Sequence, residues 1–261
     1  MNKHIHRDGE TTSKIFDNRS LEVDYATLIS ALKPGMRVLD VGCGTGAISK
    51  GIAEKVGPMG HVTGIDHTEH FINSGKETYS TIKNLELIHA DIFQFEPEEK
   101  FDLVVCARVL QWLNNPVEAL KRFRELLKPG GQVSVLDYNH EALQWRPEPP
   151  ESMLRFYGTF LRWRGDAGMN NHIAEDLPGY FEEAGFTAIE TYNADEVYLK
   201  GQDNFVSKAG IWSKVAASTQ MVDEGYISND DRLLAIEEYD DWVKNAAVGM
   251  TMVLREVRGK K

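Results

Sequence analysis

The nine residues from Val38 to Gly46, Val-Leu-Asp-Val-Gly-Cys-Gly-Thr-Gly, constrain the fold more than any other stretch. A short apolar run passes straight into glycines at every second position, Gly42, Gly44 and Gly46. Strands that apolar are buried on both faces of a parallel sheet. Glycine lets the backbone approach a ligand closely, in dihedrals closed to other residues. In an open α/β sheet the turn leaving such a strand lines the crevice where ligands bind. The run therefore predicts a strand, a turn around an adenosine-bearing ligand, and a helix.

The rest of the chain fits that start. Strand-like runs recur at Arg37–Val41, His61–Asp66, Leu85–Ala90, Phe101–Ala107 and Gln132–Asp137, with helical stretches at Ala47–Val56, Thr68–Lys83 and Pro116–Leu127 between them. Thr68 is the expected cap of the second helix, and the Lys-Pro-Gly-Gly run at Lys128–Gly131 is expected to stop the third. Strands alternating with helices mean right-handed βαβ units and a doubly wound, mostly parallel sheet. After Asp137 the rhythm changes. An aromatic helix is expected over Met153–Trp163, a helix over Asp176–Ala184, a strand near Ala188–Asn193, a helical block over residues 203–247 and a last strand over Gly249–Val257. The expectation is one α/β domain over residues 1–261, with an N-terminal helical segment (1–36) and two helical cap insertions (140–175 and 203–247).

Composition narrows the function. A net charge of -11 over 261 residues repels phosphate backbones, so nucleic acid is not an expected partner without a local basic groove. The aromatic and arginine-bearing stretch Phe156–Arg164 is the place to look for one, and an amphipathic helix is its plainer explanation. Two cysteines, Cys43 and Cys106, make no disulfide framework, and no apolar run approaches a membrane span. A reduced, cytoplasmic protein is expected. The histidines are scattered and neither cysteine has a partner at ligand spacing, so no metal is expected.

Dinucleotide enzymes write their turn as Gly-x-Gly-x-x-Gly. Here the spacing differs, and Asp40 precedes the first glycine by two residues, a poor neighbour for a pyrophosphate. An acidic residue there suits a cationic ligand without phosphate. With these residues the chain resembles the class I S-adenosylmethionine-dependent methyltransferases, whose glycine motif "VLDVGCGTG" matches. Later stations agree: "GID" ending at Asp66, "HADI" ending at Ile92, "FDLVVCARVLQWL" and "LLKPGGQVSVLD". The resemblance implies a seven-stranded Rossmann-like sheet with an antiparallel last strand, and S-adenosyl-L-methionine as cofactor. It further implies cofactor contacts from Asp40, Gly42, Cys43, Gly44, Gly46 and Ala107. Asp66 would take the ribose hydroxyls, with His67 at the adenine face, Asp91 at the adenine amino group and the Ile92 backbone at a ring nitrogen. Upstream, "IFDNRS" is similar to the start of trans-aconitate and quinone-biosynthesis methyltransferases, where an arginine clasps the cofactor carboxylate; Arg19 is the match.

The activity implied is methyl transfer to a small organic acceptor on oxygen, nitrogen or carbon, by a monomer or homodimer. Such transfer gains from orientation and from excluding water. The inserts, with Trp145, Met153, Phe156, Tyr157, Phe160, Trp163, Trp212 and Trp242, are read as a lid, about half of these residues serving only as packing. Gln111, Trp112, Tyr157 and Trp163 are candidate acceptor contacts, and Arg108 follows the same strand as the first two. Tyr138 and His140 are candidates for a base, and no single catalytic residue is assigned. The alternative from another class is an inactive cofactor-binding sensor or scaffold. Methylation of nucleic acid or protein is a third reading, and the absence of an Asn-Pro-Pro-Tyr type motif counts against amino-group methylation of nucleic acid.

Overall fold

The computed structural model describes residues 19–261. Most of the expected N-terminal segment, residues 1–18, lies outside them. Among the described residues eight strands join in one sheet: β1 (Arg37–Val41), β2 (His61–Asp66), β3 (Leu85–His89), β4 (Phe101–Ala107), β5 (Leu127–Arg146), β6 (Thr187–Asn193), β7 (Glu196–Leu199) and β8 (Gly249–Lys260). Their order is β3-β2-β1-β4-β5-β8-β6, with β7 paired to β8 off that path. The main path thus has the seven strands expected, and β7 is an addition that the sequence reading merged into a linker.

The first five strands are parallel where they pair, and β8 runs antiparallel to β6 and β7. Strand order reverses beside β1, whose Val41 is level with Ile65 of β2 and Cys106 of β4. That reversal opens a crevice beyond the carboxyl ends of β1 and β4. The glycine run leaves β1 there.

By internal contacts the chain divides into two compact units. The larger holds the described residues through Asp137 with Ile173–Ala194 and Arg255–Lys261; the smaller holds Tyr138–His172 and Asp195–Leu254. Both have apolar interiors. In the larger, Leu39, Val41, Ile65, Val104 and Cys106 of the sheet bury against Leu120, Phe123 and Phe181 from its helices. In the smaller, the helix Glu151–Asp166 and the long helix Asn229–Asn245 supply Met153, Phe156, Phe160, Tyr239 and Trp242. The aromatic side chains of the two inserts mostly pack on one another: Tyr157 meets Trp212 at 4.6 Å and Trp145 at 5.1 Å, and Phe160 stacks with Trp163 at 6.2 Å between ring centroids.

The main differences from the sequence reading lie in one helix, its cap and β5. The helix expected over Thr68–Lys83 spans Glu69–Thr78. Beyond it the chain turns, so that the Asn84 amide donates to the carbonyls of Ala53 (2.8 Å) and Gly57 (2.9 Å) at the end of the helix Ala47–Val56. That tertiary demand outweighs the helical spacing. Thr68 stands at the cap, yet its side chain caps nothing; Asp66 Oδ1 accepts the Thr68 N–H at 2.9 Å instead. Finally, β5 includes the Lys-Pro-Gly-Gly run and continues to Arg146, so the first insert opens as strand rather than helix.

Candidate functional site

The turn after β1 has left-handed backbone at each glycine of the motif, with φ of 72° at Gly42, 59° at Gly44 and 86° at Gly46. This is the conformational reason for the two-residue glycine spacing. A Cβ on Gly42 would also stand 2.3 Å from Val109 Cγ2. The N–H groups of the turn are spent inside the protein. Those of Gly42 and Cys43 donate to the Ile65 carbonyl (2.8 and 3.0 Å), that of Gly44 to Asp66 Oδ2 (2.9 Å), and that of Gly46 to the Cys43 carbonyl (3.0 Å). These four donors therefore form no cradle for a pyrophosphate, which needs several N–H groups pointing at it.

What the turn offers is negative charge. Asp40 is buried in β1, and the Ser49 hydroxyl donates to its Oδ2 at 2.6 Å. Burial pushes the Asp40 carboxyl up to about 6; Ser49 opposes that shift and the nearby Asp66 adds to it. Burial, then Asp40 and Asp66, push the Cys43 thiol well above its usual range, so it stays protonated and unreactive. Asp66 is tied by one oxygen to the turn and by the other to Thr68. Beyond these backbone contacts Oδ1 also faces His67 Nδ1, and Oδ2 has a second lone pair.

Arg19, Asp40, Gly42, Cys43, Gly44, Ala47, Ile48 and Ala107 line one concavity of about 340 Å³ that is open to solvent. Six of these were expected as cofactor contacts. Ala47 and Ile48 were not; they open the helix after the last glycine, and their small and apolar character was the signal available. Asp66 joins the group through Gly44. Gly46, His67, Asp91 and Ile92 do not line this concavity. His67 is half-exposed with Nδ1 3.5 Å from Asp66 Oδ1, and exposed Asp91 accepts the Phe93 N–H at 2.9 Å in its own turn.

The turn itself sits in a socket that only glycines permit. A Cβ on Gly75, in the helix Glu69–Thr78, would lie 2.2 Å from the Thr45 carbonyl oxygen, and one on Gly64 of β2 would lie 3.0 Å from Cys43 Sγ. The obstacle at Gly75 is backbone, which cannot swing aside. Gly75→Ala is expected to lower stability by about 1–3 kcal/mol through overpacking. It should also weaken cofactor binding, because the turn must shift. Melting curves and calorimetry on the variant check both effects.

Beyond β4, Arg108 has left-handed backbone (φ 62°), a strain on the order of 1 kcal/mol or more for a non-glycine residue. Its guanidinium is buried and Nη2 donates to the Asp24 carbonyl at 2.9 Å. Gln111 is buried, its N–H on Asp137 Oδ2 at 3.0 Å, and Trp112 is half-buried.

The remaining candidates belong to the smaller unit. Tyr157 is buried and its hydroxyl donates to the His140 carbonyl at 2.6 Å. Trp163 is buried and its Nε1 donates to Glu224 Oε2 at 2.9 Å. Tyr138 and His140 project from the same side of β5, with ring centroids 5.2 Å apart. Burial, and secondarily the Arg164 charge, hold the His140 pKa well below the usual histidine range. His140 is therefore neutral at ordinary pH and only weakly basic. The arginine-bearing stretch is helical, and Arg164 is buried with its Nε on Asn171 Oδ1 at 2.8 Å, so this arginine adds nothing to a surface groove. Among the described residues no helix is long and apolar enough to cross a membrane, and no cluster of metal-ligating side chains occurs.

Comparison with known proteins agrees with this arrangement. The methyltransferase domain family matches residues 32–185. Demethylmenaquinone methyltransferase of Staphylococcus aureus (strain JH9) is 32% identical over 167 residues, covering 59% of this chain and 69% of that protein. Among solved structures, phosphoethanolamine N-methyltransferase 2 of Haemonchus contortus, bound to phosphomonomethylethanolamine and S-adenosylhomocysteine, superposes with a TM-score of 0.56 at 17% identity. It is covered over 52% of its length by 90% of this chain. The [4+2]-cyclase SpnF superposes with a TM-score of 0.55 at 17% identity, over 96% of this chain and 81% of its own. At such identities these two speak for the fold alone. The family match, the 32% relative and the acid-flanked glycine turn together establish that the chain belongs to the class I S-adenosylmethionine-dependent methyltransferases.

Proposed function

We propose that the concavity beside the glycine turn holds the amino-acid end of S-adenosylmethionine and that the methyl acceptor is a small organic molecule reacting as an anion. The observation that carries the first half is the pairing of Asp40 and Arg19 around one concavity. A carboxylate and a guanidinium together complement a group bearing both an ammonium and a carboxylate. When bound, S-adenosylmethionine supplies a methyl group already activated by its sulfonium. The chain's own residues then have to bind and orient. Asp66 would accept the ribose hydroxyls with the lone pairs its backbone contacts leave open, and Asp91, Ile92 and His67 would flank the adenine.

The anionic acceptor rests on basicity. His140 is a weak base in its buried, positively charged surroundings, which suits an acceptor that brings its own negative charge. The 32% identical relative is named for an organic acceptor too, demethylmenaquinone. Gln111 and Trp112, which follow β4 in the larger unit, belong to the same proposal as acceptor contacts. Incubation with S-adenosylmethionine labelled in its methyl group and pools of small carboxylic acids, phenols, quinols and amines should label a product from the carboxylic acids, which are already ionised at neutral pH. Label in phenols, quinols or amines but not in the acids would overturn the anionic acceptor, and label in no pool would overturn the small acceptor itself.

Asp66→Ala is expected to weaken S-adenosylhomocysteine binding by about one to two orders of magnitude, since it removes both ribose acceptors and the acceptor of the Gly44 N–H. Unchanged calorimetric affinity would remove Asp66 from the site.

A further inference from the structure

We infer that Arg108 is a positioning residue, a strut between the end of β4 and the N-terminal turn, that sets where Arg19 meets the cofactor carboxylate. The inference deepens the reading of Arg19 given above and rests on it.

The geometry is a chain of short contacts within the larger unit. Ala107, the last residue of β4, lines the concavity. The next residue, Arg108, is fixed by its N–H on the Leu136 carbonyl at 2.7 Å, and its guanidinium reaches the Asp24 carbonyl at 2.9 Å. Asp24 closes the short helix Leu21–Asp24, and its Oδ2 accepts the Ser20 N–H at 2.8 Å while its own N–H donates to the Ser20 carbonyl at 2.8 Å. Ser20 Oγ in turn accepts the Val23 N–H at 3.3 Å. Residues 20–24 are thus one hydrogen-bonded turn, and Arg19 leaves it by a single peptide bond. Pulling on Asp24 moves Arg19.

Other anchors fix a different part of the same segment. The Tyr25 hydroxyl pairs with Ser134 Oγ at 2.7 Å, Ser134 donates to buried Glu256, and Arg258 bonds both Glu256 and the Thr27 carbonyl. These hold the segment from Tyr25 onward to β5 and β8. In the preceding turn Arg108 holds Asp24, buried Leu21 rests against Gly51, and exposed Glu22 faces Lys55 Nζ at 3.7 Å. The left-handed backbone at Arg108 points the same way. A non-glycine residue is kept in that region only where the surroundings hold it, and such residues gather at functional sites. Here the unusual backbone sends a long cation from the pocket wall toward the turn that carries Arg19.

Two ligands separate a positioning role from a structural one: S-adenosylhomocysteine, which has the carboxylate, and methylthioadenosine, which lacks it. Arg108→Asn is the first variant, because asparagine tolerates left-handed backbone and the fold should survive. Its affinity for S-adenosylhomocysteine should fall about tenfold, the effect of a lost hydrogen bond to a charged group, with methylthioadenosine unaffected. Arg19→Ala should discriminate between the two ligands in the same direction, and the double variant should be no weaker than Arg19→Ala alone. Without ligand, amide exchange at Asp24 and Tyr25 should speed up in Arg108→Asn. Equal losses for both ligands, no loss for either, or additive losses in the double variant would overturn the strut. If Arg19→Ala fails to discriminate, the reading of Arg19 falls instead, and the exchange measurement still reports whether Arg108 holds the turn.

Discussion

Gly44→Val is expected to abolish detectable binding of S-adenosylhomocysteine. Gly44 has φ of 59°, a region that is a genuine outlier for a β-branched residue. It also lines the concavity and donates its N–H to Asp66 at 2.9 Å. Valine would therefore distort the turn, fill part of the concavity and loosen Asp66 together. Calorimetry should show no heat, and the ligand should no longer raise the melting temperature. Gly35→Ala is the control: it meets a positive φ (83°) in a surface turn where a Cβ has nothing within 4 Å. It should cost on the order of 1 kcal/mol of stability and keep full ligand binding. A Gly44→Val protein that binds normally would show that the turn does not hold the cofactor.

Asp40→Asn should make the free protein more stable while weakening cofactor binding. The sign follows from the raised pKa. Burial lifts the Asp40 carboxyl from 3.8 to about 6, so its ionised form is disfavoured in the folded state. The fold consequently loses stability as pH rises from about 4 to 6, and above that the full cost, about 3 kcal/mol at 1.36 kcal/mol per pKa unit, remains. Asparagine removes that cost and can still accept the Ser49 hydroxyl. Several degrees of added melting temperature at pH 7.5 are expected. A cationic ligand compensates the buried carboxylate, so native affinity should rise through pH 6 and fall about tenfold per unit below it. Titrations between pH 5 and 7 should show this slope in the native protein and a flat profile in Asp40→Asn. A destabilised variant, or one with the native slope, would remove Asp40 from its assigned role. A residue that strains the free fold to serve a ligand is the expected trade between stability and function.

Much of this was legible in the chain itself. The bounds of β1, β2 and β4 follow from short runs bearing Val, Ile and Leu and bounded by Gly, Pro or a charge, because a strand buried on both faces shows no regular polar side. The glycine spacing and Asp40 two residues before it announced a turn for a cationic, phosphate-free ligand. The folded turn adds the reason: its N–H groups close on Ile65, Asp66 and Cys43. Direction and distance were not legible. Arg108 could be placed after β4, yet nothing in the sequence says that its guanidinium turns to Asp24, 84 positions earlier. Gly75 reads as an ordinary helix residue until the Thr45 carbonyl is found against it. The aromatic residues of the inserts have the same composition whether they face a ligand or one another, and contact alone separates the two.

The sequence by itself determined the alternation of β1 to β5 with their helices, the family and the acid and glycines at the turn after β1, because burial periodicity and backbone conformation are local properties. Only the tertiary structure decided the division into two units, the extension of β5, the environment that weakens His140 as a base and the contacts that bring Arg19 beside Asp40. Those depend on which distant surfaces exclude water from one another, and no short window of residues encodes that.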